Sequence, residues 1–318
     1  MDAHVTHMSP IQFSSGDVIA DRRADYARML AEAGDHAAAA ELFEQALEIV
    51  PHWPAGWVLL GEAHQKAGQV EQAIEAFRRV DELDETGIFG AQLKLALLGA
   101  APTPDTPPSA YVEGLFDDYA DRFETSLVEK LNYSVPQKLC ALVRSHAPFG
   151  LTVDLGCGTG LFGVEVAGAT QRLEGFDLSA NMLAKAEEKG LYHHLAQADL
   201  SSDTAADALF AGGMPRARAD LVSAADVLMY LGSLDTTFGL VRDLLKPGGL
   251  FAFSVEDAGA AEEGYTLLAS LRYAHTEAYV RALLAGFGFD LLQTQKTDIR
   301  MDGGKTVYGI LFLARLAA

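Results

Sequence analysis

The sequence is short of cysteine, short of positive charge and without any long apolar run. Cys140 and Cys157 are the only cysteines in 318 residues. Two thiols are too few for a disulfide framework or a thiolate metal site, so both read as buried side chains. Lys and Arg number 24 against 44 Asp and Glu, a formal net charge of -20. The deficit is shared, with 7 basic and 17 acidic residues up to Ala110 and 17 and 27 from Tyr111 onward. Phosphate backbones attract the opposite sign, so a nucleic-acid partner is not expected, and a small molecule or a basic protein fits better. No charge-free stretch is long enough to cross a bilayer, which argues against a membrane partner. Met1 to Gly16 mixes His, Asp and Ser around no apolar centre, unlike a signal peptide. The expected location is therefore cytoplasmic.

What the sequence does hold begins with a repeat at an offset of 34, in which Ala39, Phe43 and Ala46 recur as Ala73, Phe77 and Val80. Ala27 recurs as Gly61 and Leu30 as His64. Small residues recur where two helices would cross closely, and Gly34-Asp35 and Gly68-Gln69 break each unit midway, so each reads as helix, turn, helix. Trp57, Leu60, Gly61, Ala73 and Phe77 stand at the signature spacing of tetratricopeptide repeats, which this stretch resembles. The first unit departs from that pattern with Arg23 at the aromatic position. A third unit is represented by one apolar helix, about Ile88 to Leu98. Such arrays bury a core only against neighbours and usually need roughly three repeats, so this domain is expected to lean on the next one.

Ala101 to Ala110 carries four prolines and reads as a linker. Helical periodicity follows from Tyr111 to His146, with Leu115, Phe116, Tyr119 and Phe123 along one face. Beyond Gly150, short apolar runs beginning near Leu151, Arg172, His194, Asp220, Leu250, Phe287 and Thr306 alternate with helical stretches. That alternation predicts an α/β domain with a mainly parallel sheet covered on both faces. Asp302-Gly303-Gly304 predicts a hairpin between the last two runs and so an antiparallel edge. The expected division is a flexible N-terminus over 1–18, repeats over 19–100, the linker over 101–110, a helical lid or extension over 111–150, and the α/β domain over 151–318.

The strongest local pattern is Val153-Asp154-Leu155-Gly156-Cys157-Gly158-Thr159-Gly160, an apolar strand entering a glycine-rich turn. Glycines there admit positive φ and close approach of a ligand to the backbone, and Asp154 at the strand end could accept from a cationic amine or orient the loop. Gly158, Gly160 and Gly163 also fit the dinucleotide pattern G-x-G-x-x-G, which alone is weak. Later signals follow in order: Asp177-Leu178-Ser179 with Met182-Leu183 after the second run, Ala198-Asp199-Leu200 after the third, and Lys246-Pro247-Gly248-Gly249 before the fifth.

Together these resemble class I S-adenosylmethionine-dependent methyltransferases, whose fold is a Rossmann-like seven-stranded sheet. The resemblance implies that Asp154, Gly156, Gly158 and Gly160 hold the methionine part of S-adenosylmethionine, or of the product S-adenosylhomocysteine. It implies that Asp177 takes the ribose hydroxyls, that Leu178 and Met182 lie against adenine, and that Asp199 with Leu200 meets the adenine edge. The segment Leu115 to Phe123 resembles the helix that folds over the cofactor in small-molecule methyltransferases, which makes Tyr119, Arg122 and Phe123 candidates beside simple packing of an amphipathic helix.

A sulfonium already activates its methyl group, so in-line displacement needs positioning more than a catalytic triad. On the acceptor side Asp226 and Tyr230 follow the fourth strand, where open α/β sheets bind ligands; equally, Asp226 could cap the next helix and Tyr230 pack. Glu256 and Asp257 close the fifth strand on the same edge. His275, between two helical stretches, is a further catalytic candidate against an ordinary structural role. His193-His194 has no partner at metal-ligand spacing, so no metal is expected. The implied function is methyl transfer to a small-molecule or protein acceptor, with the repeats aiding docking or stability, to which a nicotinamide-dependent oxidoreductase and a repeat adaptor with an inert domain are the alternatives.

Overall fold

The computed structural model describes residues 14–117, 133–202, 204–261 and 264–318. It divides into two compact units, Met1–Pro104 and Asp105–Ala318.

The first unit is helical: α1 Val18–Glu32, α2 His36–Ile49, α3 Pro54–Lys66, α4 Val70–Leu83 and α5 Ala91–Leu97. Asp17 caps α1 by accepting from the backbone N–H of Ile19 and Ala20, and Asp35 caps α2 through Ala38. The residues that recur at the repeat offset form the core, for Ala39, Phe43, Ala46, Ala73, Phe77 and Val80 are all buried. Gly61 shows why the crossing residue must be small: a Cβ there would stand 2.5 Å from the Phe77 ring. The third unit is the single helix α5, which buries Leu93 and Leu95. Of the expected flexible 1–18 stretch, residues 1–13 lie outside the described residues, while Ser14 Oγ donates to Asp21 at 2.6 Å.

The second unit opens with α6 Ser109–Asp117 and α7 Val135–Val143. Then β1 Phe149–Leu155, α8 Leu161–Val166, β2 Thr170–Asp177, α9 Ala180–Glu188, β3 His194–Gln197, α10 Ala205–Leu209 and β4 Ala219–Ala224 alternate. They are followed by α11 Asp235–Leu244, β5 Leu245–Asp257, β6 Tyr265–Leu267, β7 Tyr273–His275, α12 Glu277–Gly286, β8 Phe289–Asp302 and β9 Lys305–Leu316. Strands β3-β2-β1-β4-β5 run parallel in that order. β9 adds antiparallel to β5, and β8 to β9, across the expected Gly303-Gly304 turn. These are the seven expected strands. Alternate residues face opposite sides, with Phe251, Phe253 and Val255 in one apolar cluster and Leu250 and Ala252 in the other. Both faces are thus covered, as a parallel sheet requires.

Three features differ from the expectation. Two short strands, β6 and β7, extend the far edge beside Glu256 and Asp257, so His275 ends a strand instead of lying between helices. Lys246-Pro247-Gly248-Gly249 lies inside β5 as a register irregularity between Ala219–Leu245 and Leu221–Leu250, because β4 supplies ladder partners on both sides of it. The linker is shorter than 101–110: the Asp105 carbonyl accepts from Gly232 N at 2.9 Å and Ser233 N at 2.8 Å, and Tyr265 donates to its side chain. From Asp105 onward the chain is part of the second unit. Among the described residues no helix is long and apolar enough to cross a membrane.

Candidate active site

The order reverses between β2-β1 and β4-β5, and open α/β sheets bind ligands at such a point, beyond the strand C-termini. A cavity of about 290 Å³ lies there. Asp154 from β1 lines it, followed by Gly156, Cys157, Gly158 and Thr159 from the loop into α8. β2 brings Asp177 and Leu178, the first turn of α9 brings Met182, and Asp199 with Leu200 follows β3. Asp226 and Tyr230 come from the segment after β4, and Ser109, Val112, Leu115 and Phe116 from α6. Gly160, the residue before α8, is not on the wall, and neither is His275. Tyr119, Arg122 and Phe123 lie outside the described residues.

Each acid on the glycine-loop side is held by donors. Asp154 accepts from Tyr192 at 2.8 Å and from Ser223 at 2.7 Å, and Asp177 accepts from the backbone N–H of Gly158 at 2.8 Å and of Ser179 at 2.9 Å. Burial pushes the Asp154 carboxyl up to about 7, against the lowering effect of its two hydroxyl donors. Burial likewise raises Asp177 to about 6, less far because backbone donors favour its charged form. Asp199 accepts from Ser201 N at 2.9 Å, Ser201 Oγ at 2.6 Å and Ser109 Oγ at 2.5 Å.

The other side of the cavity is a charge cluster. Arg300 reaches both carboxylate oxygens of Asp226 at 2.9 Å through Nη1, and Glu256 through Nη2. Burial opposes the Arg300 charge, but the two carboxylates outweigh it and keep the guanidinium protonated. Asp226 itself has φ 60, and its N–H donates to Ser254 Oγ at 2.9 Å. Its carboxylate is paired with Arg300 and does not cap a helix. Tyr230 packs edge-on to Phe116 with centroids 5.0 Å apart and lines the cavity beside Arg272, whose Nη1 donates to Asp302 at 2.9 Å.

His275 is fully buried, stacked on Tyr279 with centroids 5.9 Å apart, and its Nε2 lies 3.0 Å from the Gly232 carbonyl. Burial lowers it to about 4, so it stays neutral. Arg272, Arg300 and Thr159 escaped the sequence reading. A buried arginine shows as an arginine in sequence and nothing more; Arg300 stands 74 positions from the Asp226 it pairs with.

Residues 153–251 match the family described as "Methyltransferase domain", and residues 30–87 match "Tetratricopeptide repeat". The chain carries a class I methyltransferase domain preceded by tetratricopeptide repeats. Two relatives are malonyl-[acyl-carrier protein] O-methyltransferases. That of Serratia marcescens is 25% identical over 159 residues, 50% of this chain and 58% of its own. That of Pectobacterium atrosepticum is 28% identical over 151 residues, 47% of this chain and 52% of its own. The chain thus spans little more than half the length of these curated relatives. A structure of magnesium protoporphyrin IX methyltransferase from Synechocystis PCC 6803, with bound S-adenosylhomocysteine, covers 66% of this chain and 99% of its own at 20% identity and a TM-score of 0.49.

The cofactor of the class, S-adenosylmethionine, can be tested against the methyltransferase domain's own cavity. Gly158 has φ +53, and a Cβ built on it would meet nothing within 4 Å, so the backbone there is open to the cavity it lines. Thr159, 1% exposed and on the same wall, has a buried hydroxyl with no hydrogen-bond partner among the described residues. Such a group costs free energy until something pairs with it. An ammonium suits Asp154 and a diol suits Asp177, so these acceptors fit the cofactor. No cluster of His, Cys, Asp and Glu able to hold a metal occurs among the described residues.

Proposed function

We propose that the chain transfers a methyl group from S-adenosylmethionine to a small-molecule or protein acceptor. The observation that carries this reading is the convergence on one cavity of Asp154 and Asp177, each held by hydrogen-bond donors, with Gly158 and the unpaired hydroxyl of Thr159. Asp154 holds the amine, Asp177 the ribose hydroxyls, and Leu178, Met182 and Leu200 an apolar slot closed by Asp199. When bound, the cofactor supplies a methyl group that a sulfonium has already activated. The protein's part is to align the acceptor and keep water out, which Phe116, Val112 and Leu115 of α6 do by lining the cavity.

On the acceptor side, Tyr230 and Arg272 present donors to the cavity. The printed name of the two relatives gives their acceptor as a malonyl-carrying protein. A carboxylate acceptor of that kind would meet the Arg272 guanidinium, and an oxygen nucleophile already ionised needs no general base. Asp226, locked to Arg300, shapes this wall in place of acting as a base. The acidic repeats favour a basic acceptor protein or partner, bound with a salt-sensitive affinity, and the reaction is assigned to the cytoplasm.

Incubating the full chain with methyl-labelled S-adenosylmethionine and a panel of acyl-carrier and small carboxylate acceptors tests the reading. Label is expected in a carboxylate ester, and not with Asp177→Asn. Cofactor binding with label in no acceptor would instead favour the inert-domain adaptor.

A further inference from the structure

Tyr192, between α9 and β3, is the residue that the cofactor site leaves without a stated task. It is not on the cavity wall, nor are the three glycines around its ring. A Cβ built on Gly163 would stand 2.5 Å from the Tyr192 hydroxyl oxygen, one on Gly175 would stand 2.7 Å from ring carbons Cδ1 and Cε1, and one on Gly160 would stand 2.9 Å from Cε2. Real Cβ atoms essentially never approach within 3.0 Å. Glycines at the start of α8 and in β2 therefore leave a slot for this ring, shared at Gly175 with the Leu195 side chain. In a dinucleotide site the third glycine of G-x-G-x-x-G lets helix and strand pack closely; here the space at Gly163 belongs to a tyrosine.

What the slot achieves is a hydrogen bond. Tyr192 donates to Asp154 Oδ2 and Ser223 to Oδ1. Each carboxylate oxygen so engaged keeps lone-pair capacity for another donor, and Asp154 is 1% exposed yet lines the cavity. Resting on the cofactor reading above, we propose that Tyr192 is a positioning residue for the cofactor amine. From outside the cavity, together with Ser223, it fixes Asp154 so that the carboxylate's remaining acceptor capacity is presented to an ammonium group. The assignment also separates cofactor classes, because an aspartate held this way serves an amino-acid-bearing cofactor and finds no primary ammonium to meet in a dinucleotide. Burial first, and the adjoining Asp154 charge after it, keep the Tyr192 phenol protonated far above its ordinary range, so the donor persists at any working pH.

The experiment is a double-mutant cycle on the full chain, using S-adenosylhomocysteine as the probe in calorimetry across a pH series. Tyr192→Phe keeps the ring in its slot, and thermal unfolding of the ligand-free variant verifies the fold. It should bind roughly tenfold or more weakly near neutrality, the usual effect of removing a hydrogen bond to a charged group. The pH at which half the affinity is lost should also move upward, because the hydroxyl donor favours ionised Asp154. In an Asp154→Asn background the same substitution should add little. Gly163→Ala, which crowds the hydroxyl without touching the cavity, should weaken binding in the same direction. Wild-type affinity and an unmoved midpoint in Tyr192→Phe would overturn the proposal, as would an equal loss with and without the Asp154 carboxylate. A wild-type chain that binds no S-adenosylhomocysteine would overturn the cofactor reading, and the positioning role with it.

Discussion

At the residue scale, two buried carboxyls set how the proposed cofactor site responds to pH. Asp154 and Asp177 are raised from 3.8 to about 7 and about 6. A raised carboxyl pKa means that the folded chain holds more protons than the unfolded one through that window. Stability of the ligand-free protein should therefore fall as pH rises from about 4 to about 7. Donors on the cofactor reverse this by favouring the ionised forms. The rise in melting temperature on adding S-adenosylhomocysteine should grow from about pH 5.5 to about pH 8. Differential scanning fluorimetry at the two pH values measures it, and an increment independent of pH would mean that neither carboxyl meets the ligand. These two acids were legible in the sequence because each sits at the end of an apolar run, beside glycines or a helix cap that travel with it. Tyr192 and Thr159 were not. Their roles arise from a ring slot and an unpaired hydroxyl, which exist only once α8, β2 and β3 are packed.

At the element scale, the strand order and the hairpin were readable because apolar runs, turn glycines and loop lengths are local. The hairpin's consequence was not: β8 carries Arg300 to the cavity, where it bridges Asp226 and Glu256 from two other segments. Removing one member of a buried ionic group leaves its partners uncompensated, so Arg300→Ala should cost about 3 to 5 kcal/mol. Denaturant unfolding followed by circular dichroism measures the loss, and less than about 1 kcal/mol would mean that water already screens the cluster. Two other elements explain His275. The sequence shows a lone histidine between two helical stretches, whereas the fold places it at the end of β7 and buries it against Tyr265 of β6 and Tyr279 of α12, off the cavity wall.

At the scale of the whole molecule, period and composition separate the repeats from the α/β domain in the sequence, and the division between the two units falls inside the proline-rich stretch. Prolines mark Ala101 to Ala110 as extended without saying where it attaches. Asp105 is tied to Gly232, Ser233 and Tyr265, while Pro107 and Ser109 line the cavity. A chain beginning at Asp105 should bind S-adenosylhomocysteine like the full protein, whereas one beginning after Ser109 should bind it at least tenfold more weakly. Equal affinity of the two truncations would show that this segment has no part in the site. On the natural acceptor, the chain beginning at Asp105 should lose activity if the repeats dock that acceptor, and keep it if they only stabilise.

Binding of S-adenosylmethionine in the cavity between Asp154 and Asp177 is open to direct measurement. Titration calorimetry of the full chain with S-adenosylhomocysteine, repeated with Asp177→Asn and with NAD as the competing ligand, tests it most directly. One saturable site for S-adenosylhomocysteine is expected, with a loss of about 1.5 to 3 kcal/mol of binding free energy in the variant and no heat from NAD. Binding of NAD without S-adenosylhomocysteine, or undiminished affinity in Asp177→Asn, would contradict it.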